Sequence, residues 1–175
     1  VDGGTQFFGG TTTVTAKSTR VRARIVAHTI HEQIIAADKV FVMGHMMEDF
    51  DSIGSAIGVA KMALSLQKET YIVVSGETDA LDKIKEMLQR DELKLIQDDE
   101  QYLELMLEGP EAMAHITPGS LLFLVDHHRP MLCASKEVKE AIPKRIIIDH
   151  HRRAEDAIKR CCNIWSLLLP RPANW

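Results

Sequence analysis

Three short segments of this chain concentrate side chains that can bind a metal ion or move a proton. The first, residues 44–51, holds His45, Asp49 and Asp51. The second, residues 126–130, opens with Asp126 and continues through His127, His128 and Arg129 to Pro130. The third, residues 149–153, reads Asp149, His150, His151, Arg152, Arg153. Mixed carboxylates and imidazoles favour Mn, Fe or Zn over a purely oxygen-lined Mg or Ca site. Asp49 and Asp51 alternate along an extended loop, so they can serve two ions rather than one. A pair of ions about 3.5–4 Å apart clamps a phosphate and activates water. Arg129, Arg152 and Arg153 are candidate phosphate contacts. The small residues Ser52, Gly54, Ser55 and Ala56 let a helix N-terminus approach an anion closely.

Each piece also has a plainer explanation. A strand-end Asp often caps a helix or forms a turn, and paired arginines commonly lie on a solvated face. The recurrence of acid and His at three strand ends favours the metal. His28, His31 and His115 fall outside these segments and read as ordinary helix-face or surface histidines. The eight Met read as core filler, except Met46 and Met47, which sit inside the first segment and are expected to line the mouth of the site.

Convergence requires a scaffold. Each segment follows an apolar run: 40–43, 121–125 and 145–148. A further strand is expected at 71–74 and a weaker one near 94–96. Helices are expected over 53–66, 81–89, 102–107 and 135–141. An earlier helix, capped by Ser18 or Thr19 and reaching about residue 37, would place Val21, Ile25, Ala27, His28 and Ile34 near one face. Continuously apolar strands separated by helices imply an α/β fold, a parallel sheet of about five strands with helices on both faces. In such sheets ligands bind at the carboxyl ends of the strands, which is where the three segments lie.

Composition agrees with a globular domain. The 175 residues are 45% hydrophobic and 26% charged, with a net charge of −4, which argues against binding to long nucleic acid or anionic membrane. Cys133, Cys161 and Cys162 fit neither a disulfide framework nor a C-x-x-C zinc site, so a reducing, cytoplasmic setting is expected.

The run from Met43-Gly44-His45 to Gly58, with Asp126, His128, Arg129 and Pro130 and with Asp149-His150-His151-Arg152-Arg153, resembles the motifs of the DHH phosphoesterase superfamily. Within it the chain is most similar to cyclic-di-AMP phosphodiesterases of the GdpP type. Residues 3–10 resemble the last hairpin of their degenerate GGDEF domain, and residues 20–24 the start of their connecting helix. The resemblance implies two Mn2+ ions held by His45, Asp49, Asp51, Asp126 and His150, with Asp126 bridging. It implies catalytic or supporting roles for Asp149 and His151, and substrate-phosphate contacts from His128, Arg129 and Arg152. The implied reaction opens cyclic di-AMP to pApA, in a membrane-anchored bacterial protein whose catalytic part is cytoplasmic and which can form a homodimer. Two departures touch the ligand loops: Glu48 stands where Pro is common, and His127 where Thr is common. The alternatives are another DHH hydrolase, such as a nanoRNase, a pAp phosphatase or a manganese pyrophosphatase, and a non-catalytic metal- or nucleotide-binding fragment.

The expected organisation is a GGDEF-like remnant and linker at 1–18, a connecting helix at 19–37, an incomplete DHH domain at 38–159 and an aberrant tail at 160–175. The tail holds both Trp and two of the three Cys. Read one base out of frame from Asn163, permitted codons spell Tyr-Leu-Glu-Pro and then a run like the family's own continuation. A one-base shift near Arg160 is therefore expected, leaving a poorly active fragment without a later Asp ligand or the domain that follows.

Overall fold

A computed structural model describes residues 16–76, 78–90, 92–93 and 101–151. The elements run α1 (Ala16–Ala36), β1 (Lys39–Met43), α2 (Phe50–Ser65), β2 (Glu69–Val74), α3 (Asp79–Gln89), α4 (Gln101–Glu104), β3 (Met106–Glu108), α5 (Gly109–Met113), β4 (Leu121–Val125), a 3-10 turn (Pro130–Leu132), α6 (Lys136–Ala141) and β5 (Arg145–Ile148). The five strands form one sheet in the order β3-β2-β1-β4-β5, and every pairing is parallel.

Alternation along the strands divides the core in two, because successive side chains point to opposite faces. Val40, Val42, Ile72, Val74, Leu121, Phe123 and Val125 face one layer, packed by Val26 and Ile34 of α1, Ile53, Ala56, Ala60 and Ala63 of α2, and Leu81, Ile84 and Leu88 of α3. Phe41, Met43, Val73, Leu122, Leu124 and Ile147 face the other, against Ala112 of α5 and Val138 of α6. β4 is buried along its whole length, as a strand covered on both faces must be. Each large apolar side chain so buried contributes about 1.5–3 kcal/mol.

The strand order dictates where a ligand can enter. The chain winds outward from β1 to β3, then returns to the other side of β1 for β4 and β5. The reversal lies between β1 and β4, whose following loops lead to opposite faces and leave a crevice between them. β1, β4 and β5 all end beside that crevice, and these are the strands that precede the three polar segments.

Several expectations need correction. The helix expected over 102–107 stops at Glu104, and Met106–Glu108 is a strand instead. The reason is pairing: Ile72 donates its N–H to Leu105 O at 2.7 Å, and Met106 aligns with Ile72. Met106 and Leu107 then pack on opposite faces of the sheet, a period of two rather than 3.6. The weak strand near 94–96 lies outside the described residues. On α1 the buried side chains are Val26 and Ile34, with Ile30 packed against the same core, whereas Val21 and Ile25 are 58% and 49% exposed. The short helix α5 carries no 3.6-residue apolar period and was not expected. It is set by Pro110 at its start and by a capping box between Glu108 and Glu111.

Where β1 gives way to the first polar segment, Gly44 is required by close approach. A Cβ there would lie 2.0 Å from Ser52 Oγ but 3.3 Å from Ser52 Cβ. Gly44→Ala is therefore expected to destabilise the fold by about 1–3 kcal/mol. Adding Ser52→Ala should recover most of that loss, as read by urea denaturation of both variants. Additive losses in the double variant would show that the Ser52 hydroxyl is not the obstacle.

Candidate metal centre

The loop after β1 is pinned from one side by the segment leading to α6. Met46 N donates to Leu132 O at 2.7 Å and Ala134 N to Gly44 O at 3.3 Å, so His45 and Cys133 form an isolated antiparallel bridge. Asp49 closes the loop as the N-cap of α2, its Oδ1 accepting from Ser52 N at 2.9 Å. The helix thus begins at Phe50, earlier than its apolar periodicity suggests. The plainer explanation of Asp49 as a cap is correct, yet the same oxygen lies 3.7 Å from His45 Nε2.

Asp126 ends β4 and stands at φ +59°, a left-handed conformation uncommon for non-glycine residues. Its N–H continues the ladder by donating to Ile148 O at 2.9 Å. The carboxylate is 6% exposed and its two oxygens face different partners. Oδ2 lies 3.5 Å from His45 Nε2. Oδ1 lies 3.1 Å from His150 Nε2, and His150 Nε2 lies 3.3 Å from Asp51 Oδ2. Asp126 is therefore shared by two acid–imidazole pairs, His45 with Asp49 and His150 with Asp51.

Behind these groups lies a supporting layer. Asp149 is buried and accepts from His128 Nδ1, from His151 N at 3.0 Å and from His151 Nδ1 at 2.7 Å. Burial pushes its carboxyl up, but the bonds from His128 and His151 outweigh that and hold it below the usual range. The Asp149 bond raises His151 in turn. His127 donates Nδ1–H to Val125 O at 2.9 Å, which leaves Nε2 to accept from the Cys133 thiol at 3.3 Å. Burial lowers the His127 pKa and pushes the Cys133 thiol up to about 11. This pair packs behind His45 as a neutral unit, and the thiol is held in its unreactive form.

The donors fit a divalent ion. Ligand atoms of His45, Asp49 and Asp126 lie within 4.8 Å of one another, as do those of Asp126, His150 and His151. The 3.1–3.7 Å gaps around Asp126 are longer than most hydrogen bonds. They match the roughly 3–3.5 Å between two ligands of one ion bound at about 2.1 Å. Asp126 Oδ1 is buried without a hydrogen-bond partner among the described residues. Burial, then repulsion from Asp51 and Asp49, raises the Asp126 pKa; a cation would relieve that repulsion.

A cavity of about 450 Å³ opens onto this group, lined by His45, Asp49, Asp126, His128, Arg129, Asp149 and His151, with Met46, Met47 and Leu132 also on its wall. The two methionines thus sit where the sequence suggested. His128 reaches the cavity with one ring nitrogen already bonded to Asp149. Asp51 and His150 are brought in through the other oxygen of Asp126. Arg152 and Arg153, the remaining candidate phosphate contacts, lie outside the described residues, as do residues 1–15 and the tail at 160–175. His28 and His31 are exposed, and His115 bonds Tyr71 through Nδ1 at 2.9 Å, outside the ligand segments.

Comparison with known proteins agrees with this geometry. The DHH family, N-terminal domain, matches residues 39–171. The chain belongs to the DHH family. This DHH domain is 39% identical over 162 residues to the cyclic-di-AMP phosphodiesterase GdpP of Geobacillus thermodenitrificans, covering 90% of the chain and 23% of that relative. It is 34% identical over 160 residues to the cyclic-di-AMP phosphodiesterase PdeA of Listeria monocytogenes, with the same coverage. The chain therefore spans under a quarter of the length of these relatives. An exopolyphosphatase-related protein from Bacteroides fragilis shares the fold, with a TM-score of 0.52 and 21% identity over 87% of this chain and 40% of its own. Among the described residues, no helix is long and apolar enough to cross a membrane.

Sequence reasoning did not foresee two supports of the site. Glu48, noted only as a departure, is buried and accepts from Ser75 N and Ser75 Oγ. Cys133, read only for its redox implication, anchors His127 and the His45 strand. Neither pairing leaves a spacing signal, because Glu48 and Ser75 lie 27 positions apart on separate loops and His127 meets Cys133 only once the 3-10 turn at Pro130–Leu132 folds their shared loop back.

Charge repulsion at Asp126 leads to a test. Asp126→Asn keeps the shape and tolerates a positive φ while removing one of three crowded negative charges. At pH 8, without metal, the variant is expected to be more stable by about 0.5–2 kcal/mol, read by thermal or urea denaturation. The same variant should lose tight metal binding by calorimetry. Lower metal-free stability would show that Asp126 is held by its imidazole neighbours rather than strained by its acidic ones.

Proposed function

We propose that this DHH domain is the catalytic part of a two-manganese phosphodiesterase that opens cyclic di-AMP to pApA. The observation that carries the proposal is the division of Asp126, one oxygen toward His45 and Asp49 and the other toward His150 and Asp51. One bridging carboxylate between two partial shells suits a pair of ions. The names of the relatives supply the substrate. The expected organisation, with a GGDEF-like remnant at 1–18, a connecting helix at 19–37 and a tail altered by a one-base shift, remains part of this reading. So do a cytoplasmic location for the domain and a capacity to pair as a homodimer.

His45, Asp49, Asp51, Asp126 and His150 would hold the ions. Bound manganese supplies Lewis acidity, lowering the pKa of a water and neutralising charge on the phosphodiester. The chain's own residues do the rest. Asp149 fixes the His151 ring through Nδ1 and favours its protonated form. His151 Nε2 is then the atom to donate to a phosphate oxygen or to the leaving 3′ oxygen. Arg129, on the cavity wall, and Arg152 offer charge-assisted contacts to the phosphate. His128 braces Asp149 through Nδ1 and, on the cavity wall, is a further contact proposed for the phosphate.

The deciding assay incubates the purified chain with manganese and, separately, with cyclic di-AMP, pApA and pyrophosphate. Slow, manganese-dependent release of pApA is expected, and Asp126→Asn should abolish it. His151→Ala should retain manganese while lowering turnover by about 10²–10⁴-fold. Hydrolysis of pApA or pyrophosphate with cyclic di-AMP untouched would assign the chain to another DHH activity. Manganese binding without hydrolysis of any of the three would make it a binding fragment.

A further inference from the structure

The metal-ligand loop after β1 is held on two sides, and only one is backbone pairing. On the α6 side, Gly44 and Met46 bond the segment at 132–134. On the other side, the loop is held by a side chain. Glu48 lies between the cavity loop and Asp49, yet its carboxylate is turned away into the protein, 5% exposed. Oε1 accepts from Ser75 N at 2.5 Å and Oε2 from Ser75 Oγ at 2.6 Å. The same hydroxyl lies 3.0 Å from Met46 O. Ser75 immediately follows β2, and Gly76 at φ +97° turns the chain away beyond it. A buried carboxylate accepting two bonds from one residue is a bidentate grip, and charge-assisted bonds of this kind are about twice as strong as neutral ones.

We infer that Glu48 and Ser75 form a clamp that positions His45 and Asp49 for metal, with Glu48 a positioning residue rather than a ligand. The physical case rests on placement. Glu48 is gripped by Ser75 through both carboxylate oxygens, with the same hydroxyl beside Met46 O, and it directly precedes Asp49 in the loop that carries His45. Turning Glu48 inward and fixing it there restricts the backbone on either side of it, and with it the directions open to His45 and Asp49. Asp49 is then held at both ends of its own residue, by the clamp before it and by the cap on α2 after it. Residues that hold metal ligands in place typically govern affinity by 10–100-fold.

This inference rests on the metal reading above, and its test separates the two. Manganese affinity is measured by calorimetry for the wild-type chain, Glu48→Ala, Glu48→Gln, Ser75→Ala and the remote core variant Ile84→Val. Amide exchange of Met46 and Ser75 is followed in the same proteins without metal. Glu48→Ala and Ser75→Ala are expected to bind manganese about tenfold more weakly, and Glu48→Ala, which removes the acceptor of the Ser75 N–H, to lose protection at that amide. Glu48→Gln keeps an acceptor for Ser75 N–H and should restore affinity to within about threefold. Ile84→Val loses stability without touching the loop and should bind as wild type. Wild-type affinity in Glu48→Ala, or equal weakening in Ile84→Val, would overturn the clamp alone. No manganese binding by the wild-type chain would overturn the metal reading and the clamp's role with it, whatever the exchange data show.

Discussion

A carboxylate buried among other carboxylates must be held by something stronger than itself, and Asp126 is so held. It sits at the end of a strand that is buried along its whole length, between two neighbours that pair with it in parallel register. Its backbone leaves the strand in a left-handed conformation, a kind of strain that costs on the order of 1–3 kcal/mol. Its charge is opposed by Asp51 and Asp49. The backbone strain and the repulsion both disfavour the metal-free fold. The apolar layers on both sheet faces, each built from helices packed on alternate strand residues, supply the stability that such a site spends.

The groups around Asp126 follow one pattern. Several side chains offered to the cavity are braced by polar neighbours. Asp149 orients His151, His128 braces Asp149, and the His127–Cys133 pair backs the His45 loop. Glu48 grips Ser75 on the loop's other flank. Buried polar groups of this kind are stable only when their bonds are satisfied, and mutual satisfaction restricts the donors to a narrow geometry before any ion arrives. That limits the rearrangement needed on binding, which is the physical content of preorganisation.

The cluster around Asp126 and the sheet were legible in the sequence because both leave local signals. Apolar runs ending in Asp and His mark β1, β4 and β5, and the rule that parallel strands bind ligands at one edge converts three distant segments into one site. What stayed hidden depends on contacts between distant positions. β3 looks helical from its neighbours and becomes a strand through pairing with Ile72. The exposed Val21 and Ile25 and the buried Val26 are all β-branched, so residue type alone did not say which face of α1 meets the core. Glu48 resembles a surface acid until its partner at Ser75 is known, and Cys133 resembles an incidental thiol until His127 is placed beside it.

If Asp126 joins two ions as proposed, electron paramagnetic resonance reads the pairing directly. The wild-type chain, titrated with two equivalents of Mn(II), should give the spectrum of a spin-coupled pair, because ions sharing a bridging carboxylate interact magnetically. Removing the bridge by Asp126→Asn should leave only the hyperfine pattern of isolated ions. An isolated-ion spectrum from the wild-type chain at saturating Mn(II), unchanged by the substitution, would contradict the account.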